Sequence, residues 1–154
     1  LALVRALSKD VSIPIVAAGG LMNGGDIAKV IAAGATAAQL GTAFLCCDEA
    51  GTPATHREVL TDAAAETVFT SAFSGRPARG VRNTFIEAMA GKPVLPFPQQ
   101  NTLTRSLRRW AASAEQPGFQ SVWSGTGGRK IRPMSAAQLM ATLKQELAQA
   151  VIRS

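Results

Sequence analysis

Apolar side chains surround a single polar position in Leu1-Ala2-Leu3-Val4-Arg5-Ala6-Leu7, a period that predicts a helix ended by Ser8-Lys9-Asp10. Ile13-Pro14-Ile15-Val16-Ala17-Ala18 is a continuous apolar run with β-branched residues, stopped by Gly19-Gly20. It reads as a strand buried on both faces of a parallel sheet. Asn23-Gly24-Gly25-Asp26 supplies turn and helix-start chemistry. Ile27, Val30, Ile31 and Ala35 then recur at helical spacing until Gly34 and Thr36 close the element. A second short run, Ala37 to Leu40, meets Gly41. Strand, helix and strand within about 30 residues form a βαβ unit, whose right-handed crossover makes the strands parallel neighbours.

Beyond Gly41 the pattern becomes mostly helical. Short or moderate helices are expected over Thr42 to Cys47, Thr55 to Ala64 and Asn83 to Ala90, the last ended by Gly91 and Pro93. Thr67 to Phe73 has strand composition, and Ser74-Gly75-Arg76-Pro77 turns the chain. Pro93 to Pro98 is a connector; Thr102 to Ala114 reads as a basic helix with Leu103, Leu107 and Trp110 on one face. A last helix runs from Ser135 to Ile152, carrying Leu139, Leu143, Leu147 and Val151. Parallel strands that are apolar on both sides need further strands and helices on both faces. A (β/α)8 barrel needs about 250 residues. The pattern therefore reads as the C-terminal part of a larger α/β protein, with residues 1–50 forming its last two βα units and residues 51–154 a mostly helical extension.

Composition narrows the classes. The 154 residues are 47% hydrophobic and 17% charged, which excludes bulk disorder. The net charge of +6 leaves phosphates and nucleic acid open as partners. Cys46 and Cys47 are adjacent and fit no disulfide scaffold or metal-ligand spacing, so a reducing, cytoplasmic compartment is expected. The mainly apolar stretch from Ala32 to Cys47 is shorter than a bilayer span, and the first residues lack a signal peptide. No membrane role is expected.

The chemistry concentrates at two glycine turns. Gly19-Gly20 and Gly41-Thr42 both follow parallel strands, so they face the same carboxyl edge. In a (β/α)8 barrel that edge carries the phosphate site, made by the loops after strands 7 and 8 and the start of a short extra helix. Glycine admits the backbone close to an anion, and N–H groups at a helix start point toward it. Thr42 adds a hydroxyl donor. The other reading is that these glycines only end strands and make tight turns.

Ile13-Pro14-Ile15-Val16-Ala17-Ala18-Gly19-Gly20, Asn23-Gly24-Gly25, Ala33-Gly34-Ala35 and Gln39-Leu40-Gly41-Thr42-Ala43-Phe44-Leu45 together resemble the nitronate monooxygenase family. The resemblance continues through Thr70-Ser71-Ala72-Phe73-Ser74-Gly75-Arg76-Pro77-Ala78-Arg79-Gly80, Pro96-Phe97-Pro98-Gln99, and Trp123-Ser124-Gly125-Thr126-Gly127 to Arg132-Pro133. It implies an FMN-dependent (β/α)8 barrel oxidoreductase that oxidises nitronates with O2 to carbonyl compounds and nitrite. Gly20 matches a glycine whose backbone contacts the FMN phosphate, and Gln39, Leu40, Gly41 and Thr42 match the second phosphate-binding segment. Gly19 permits the turn. The histidine base of some members lies upstream of this sequence, so no catalytic residue is assigned here.

Other features read more plainly. His56 is expected to be an ordinary, partly exposed side chain. The Ser124 to Gly128 loop lacks phosphate-loop spacing and reads as a surface loop, with a lid over the ligand as the other reading. Thr126 stands where family members often carry Gln. Arg105, Arg108 and Arg109 are expected on a solvated face with Trp110 in a core rather than on nucleic acid. Arg76 and Arg79 either orient the flavin or an interface, or pair with carboxylates. The rival functions are a flavin-dependent enoyl-acyl-carrier-protein reductase of the same barrel type and a non-catalytic anion-binding or nucleic-acid-binding fragment.

Overall fold

The computed structural model describes residues 1–152 and divides into two compact units, Leu1–Gly51 with the C-terminal segment from Lys130, and Thr52–Arg129. The first unit contains α1 (Ala2–Asp10), β1 (Val16–Ala18), α2 (Gly24–Ala32), β2 (Ala37–Gln39) and, from the end of the chain, α7 (Ala136–Ile152). β1 and β2 pair in parallel, with Val16 opposite Ala37 and Ala18 opposite Gln39, as the βαβ reading requires. Asn23 begins α2 as its sequence predicts, its side-chain oxygen accepting the Asp26 N–H at 2.8 Å.

One side of β1 is covered. Ala17 is buried with Val30 and Ala35, and Val4, Ile15, Leu21 and Ala38 pack against them. The other side is uncovered among the described residues of this unit. Val16 is 58% and Ile13 70% exposed. Successive strand residues point to opposite faces, and among the described residues of this unit no layer packs over the Val16 face. A second cluster unites Met22, Ala43, Cys47, Leu139 and Leu143. It ties the segments after both strands to α7. Cys46 and Cys47 are buried, in line with their reading as small apolar residues.

The second unit contains α3 (Ala54–Thr61), β3 (Thr67–Thr70), β4 (Ala78–Val81), α4 (Thr84–Ala88), α5 (Gln99–Leu103) and α6 (Arg105–Ser113). β3 and β4 form an antiparallel hairpin with Thr67 opposite Val81 and Thr70 opposite Ala78. Arg79 and Gly80 conceal β4 from periodicity, because the strand exists by pairing rather than by its own pattern. Phe73 is buried against Phe85, at 4.7 Å between ring centroids, and meets the edge of Trp123 at 5.9 Å.

The basic helix expected from Thr102 to Ala114 is two helices with Thr104 between them. Thr104 is buried and donates to the Phe73 carbonyl at 2.7 Å. The buried stripe therefore passes through Thr104 and Ala111, two helical turns apart. Trp110 is displaced from it and is 51% exposed, not in a core. Its ring makes an edge contact with Phe119. No helix among the described residues is long and apolar enough to cross a membrane.

Candidate functional site

The register that pairs Ala18 with Gln39 makes the chain leave both strands at one edge, bringing Gly19-Gly20 beside Leu40-Gly41. Gly19 and Gly20 both take positive φ, 96° and 72°, where a side chain is strained. The positive φ values let the main chain turn sharply as it leaves β1. A Cβ added at Gly19 or at Gly41 meets nothing within 4 Å. The space over both turns is open.

The second segment divides its labour. Gln39 and Gly41 are exposed, Thr42 is half-buried, and Leu40 packs its side chain against the Met22 cluster. Leu40 therefore offers only main-chain groups to a ligand. Thr42 opens a single turn of 3-10 helix, Thr42–Phe44, in which Phe44 donates to the Gly41 carbonyl at 3.0 Å and Leu45 to that of Thr42 at 3.1 Å. Ala43, in the middle of that turn, is buried in the core. The six sequence-derived positions thus share one edge. A cavity of about 210 Å³ beside Gly19 and Gly20 lies on the helical side, lined by Val4, Asp26 and Lys29, and does not include Gln39 to Thr42.

Residues far away in sequence anchor the loop after the glycines. The Met22 N–H donates to Asp26 Oδ2 at 3.1 Å, and the Met22 carbonyl accepts from Arg132 Nη2 at 2.9 Å. The Gly24 N–H donates to Glu146 Oε2 at 2.8 Å, and Arg132 Nη1 donates to Glu146 Oε1 at 2.6 Å. Burial opposes ionisation of Glu146, but the Gly24 N–H and the Arg132 guanidinium outweigh it and hold the carboxyl below its ordinary value. Local pattern marks Asn23 and Asp26 as helix-start residues. Local pattern gives no role to Glu146, and marks Arg132 only as the end of the motif resemblance, because their partners are distant in the chain.

The remaining candidates lie in the second unit. His56 is half-buried, and its Nε2 is buried with no hydrogen-bond partner. Desolvation lowers its pKa from the ordinary 6.5, against a hydrogen bond with the Trp123 main chain that raises it. Arg76 and Arg79 are both engaged with aromatic rings. Each guanidinium lies over a phenylalanine ring, Arg76 at 4.4 Å from the Phe97 centroid and Arg79 at 4.1 Å from that of Phe69. Arg108 is tied to the α5–α6 junction, donating to the Asn101 carbonyl and Oδ1, both at 2.8 Å. That placement takes the middle cation out of a nucleic-acid stripe. In the loop from Ser124, Ser124 is buried and Thr126 is exposed, and the loop edges a cavity of about 290 Å³ with Glu66, Arg82 and Arg129.

Comparison with known proteins adds to this geometry. The family model for nitronate monooxygenase matches residues 1–146. The chain is 39% identical over 97% of its length to a nitronate monooxygenase of Paraburkholderia phytofirmans, covering 42% of that protein. It is 42% identical over 96% of its length to one of Pseudomonas aeruginosa, covering 43% of it. The chain thus spans less than half the length of these relatives. Among solved structures, a nitroalkane oxidase from Streptomyces ansochromogenes superposes with a TM-score of 0.96 at 44% identity, over 99% of this chain and 44% of that one. FabK from Thermotoga maritima superposes with a TM-score of 0.80 at 28% identity, over 98% of this chain and 49% of that one. The fold is accordingly α/β, the C-terminal part of a (β/α)8 barrel.

Proposed function

The chain belongs to the nitronate monooxygenase family, and from that premise we propose that it supplies the cofactor-phosphate site of an FMN-dependent enzyme that oxidises nitronates with O2 to carbonyl compounds and nitrite. A flavin is the cofactor the family supports; FMN is the form whose single phosphate suits two glycine turns at one strand edge. The observation that carries the reading is the pairing of two positive-φ glycines, Gly19 and Gly20, with the Gly41-Thr42 turn on the carboxyl edge of a parallel pair. A Cβ at Gly19 or at Gly41 would meet nothing within 4 Å.

When bound, the flavin supplies the redox chemistry, and the protein supplies binding and orientation. The main chain of Gly20 and Gly41 would hold the phosphate, with the Thr42 hydroxyl beside it, while Gly19 permits the turn. Leu40 fixes the second segment by burying its side chain, while Gln39 presents a polar group at the strand end. The higher identity and TM-score of the nitroalkane oxidase, compared with FabK, favour a nitro compound as substrate over the other flavin-barrel reading.

Visible absorption during titration with FMN tests the site. Saturable binding at low micromolar concentration, lost in Gly41→Val, is expected; a folded full chain that leaves the FMN spectrum unchanged would overturn the assignment. Nitrite release from a nitronate under air tests the reaction. A flavin-loaded full chain that releases none refutes that part.

A further inference from the structure

We propose that Arg132 and Glu146 form a positioning pair, which fixes the loop between the glycine turn and α2 and thereby sets how tightly the flavin phosphate is held. The proposal rests on the reading of Gly19-Gly20 and Gly41-Thr42 as the phosphate site. Only Leu21, Met22 and Asn23 separate Gly20 from the first residue of α2. The pair closes a ring around that tripeptide: the Met22 carbonyl to Arg132, Arg132 to Glu146, and Glu146 to the Gly24 N–H. Both polar main-chain groups of Met22 are therefore engaged, its N–H by Asp26 and its carbonyl by Arg132. Its side chain is locked in the core with Ala43, which directly follows the second phosphate segment, and Leu139 and Leu143, from α7.

An exposed ion pair contributes little, but this one is partly buried, the side chains being 27% and 31% exposed, and each partner also binds main chain of the loop. Glu146 has a second effect. Its carboxylate takes the first N–H of α2, so that helix start is already matched with an anion and the phosphate is left to the glycine turns. Backbone donors hold an anion well only when they are fixed before it arrives. Arg132 and Glu146 act through Met22 and Gly24 and are positioning residues, not ligands.

The test compares FMN with riboflavin, which lacks the phosphate, by flavin fluorescence titration of the flavin-stripped full chain. Arg132→Gln and Glu146→Gln are expected to weaken FMN about tenfold and to leave riboflavin within about twofold. Arg132→Lys keeps the charge but not the two-point contact, and is expected to fall between wild type and Arg132→Gln. An equal loss for both flavins, or none for either, overturns the proposal by reducing the pair to a structural role or to none. Wild-type protein that binds the two flavins alike overturns the phosphate reading itself, which separates the two failures. If Arg132→Gln does not fold, as judged by circular dichroism, Arg132→Lys carries the same comparison.

Discussion

Two glycines of the candidate site differ in what a side chain would disturb. Gly20 has a φ of 72°, so Gly20→Ala is expected to cost about 1–2 kcal/mol of stability. Gly41 has a φ of −114° and open space around it, so Gly41→Val is expected to fold normally and to lose FMN because the side chain fills the approach. Thermal midpoints beside FMN titrations check both, and a normal affinity in Gly41→Val would remove that turn from the site. His56 carries a pH signature. Its folded-state pKa lies below 6.5, so the unfolded chain takes up the proton first as pH falls. Stability is complete above that value and is lost as pH drops from it toward the lower folded-state pKa. Melting curves between pH 5 and pH 8 should show this slope, and His56→Gln should flatten it. The glycines were legible because a run of β-branched residues leads straight into them. The burial of His56 Nε2 was not, because a lone histidine has no pattern to be read against.

At the scale of elements, α2 and α7 come closest at Gly24. A Cβ there would overlap the Leu147 amide nitrogen and crowd the main chain of Glu146. Gly24→Ala is therefore expected to push the two helices apart, to cost about 1–3 kcal/mol, and to weaken FMN by dragging the Met22 loop with it. Chemical denaturation beside flavin titration measures both effects; a variant as stable as wild type would show that α7 yields easily. The elements that sequence pattern located well are those with strong periods or clear punctuation: α1, β1, α2, β2 and α7. Those it missed or misjudged depend on partners. β4 is a strand because β3 and Trp123 pair with it. The helix around Thr104 divides where its hydroxyl reaches the Phe73 carbonyl, and the buried stripe runs through Thr104 and Ala111 rather than Trp110.

At the scale of the whole molecule, apolar side chains of the first unit stand uncovered: Ile13 is 70% and Val16 58% exposed at β1. The 154-residue chain is expected to bind an apolar dye strongly, and Ile13→Ser with Val16→Thr to reduce that signal without loss of helix content by circular dichroism. Dye binding unchanged by the double substitution would place the sticky surface elsewhere. The family's chemistry was reached from sequence by motif resemblance, and the family match over residues 1–146 agrees with it. By itself the sequence determined the βαβ unit and the two glycine turns at one strand edge, because apolar period, cap residues and glycine punctuation are all local. Only the tertiary structure decided that Arg132 and Glu146 reach the loop after Gly20 and that α7 closes the core beneath Ala43. Each of these depends on contacts between residues far apart in the chain, for which local pattern carries no signal.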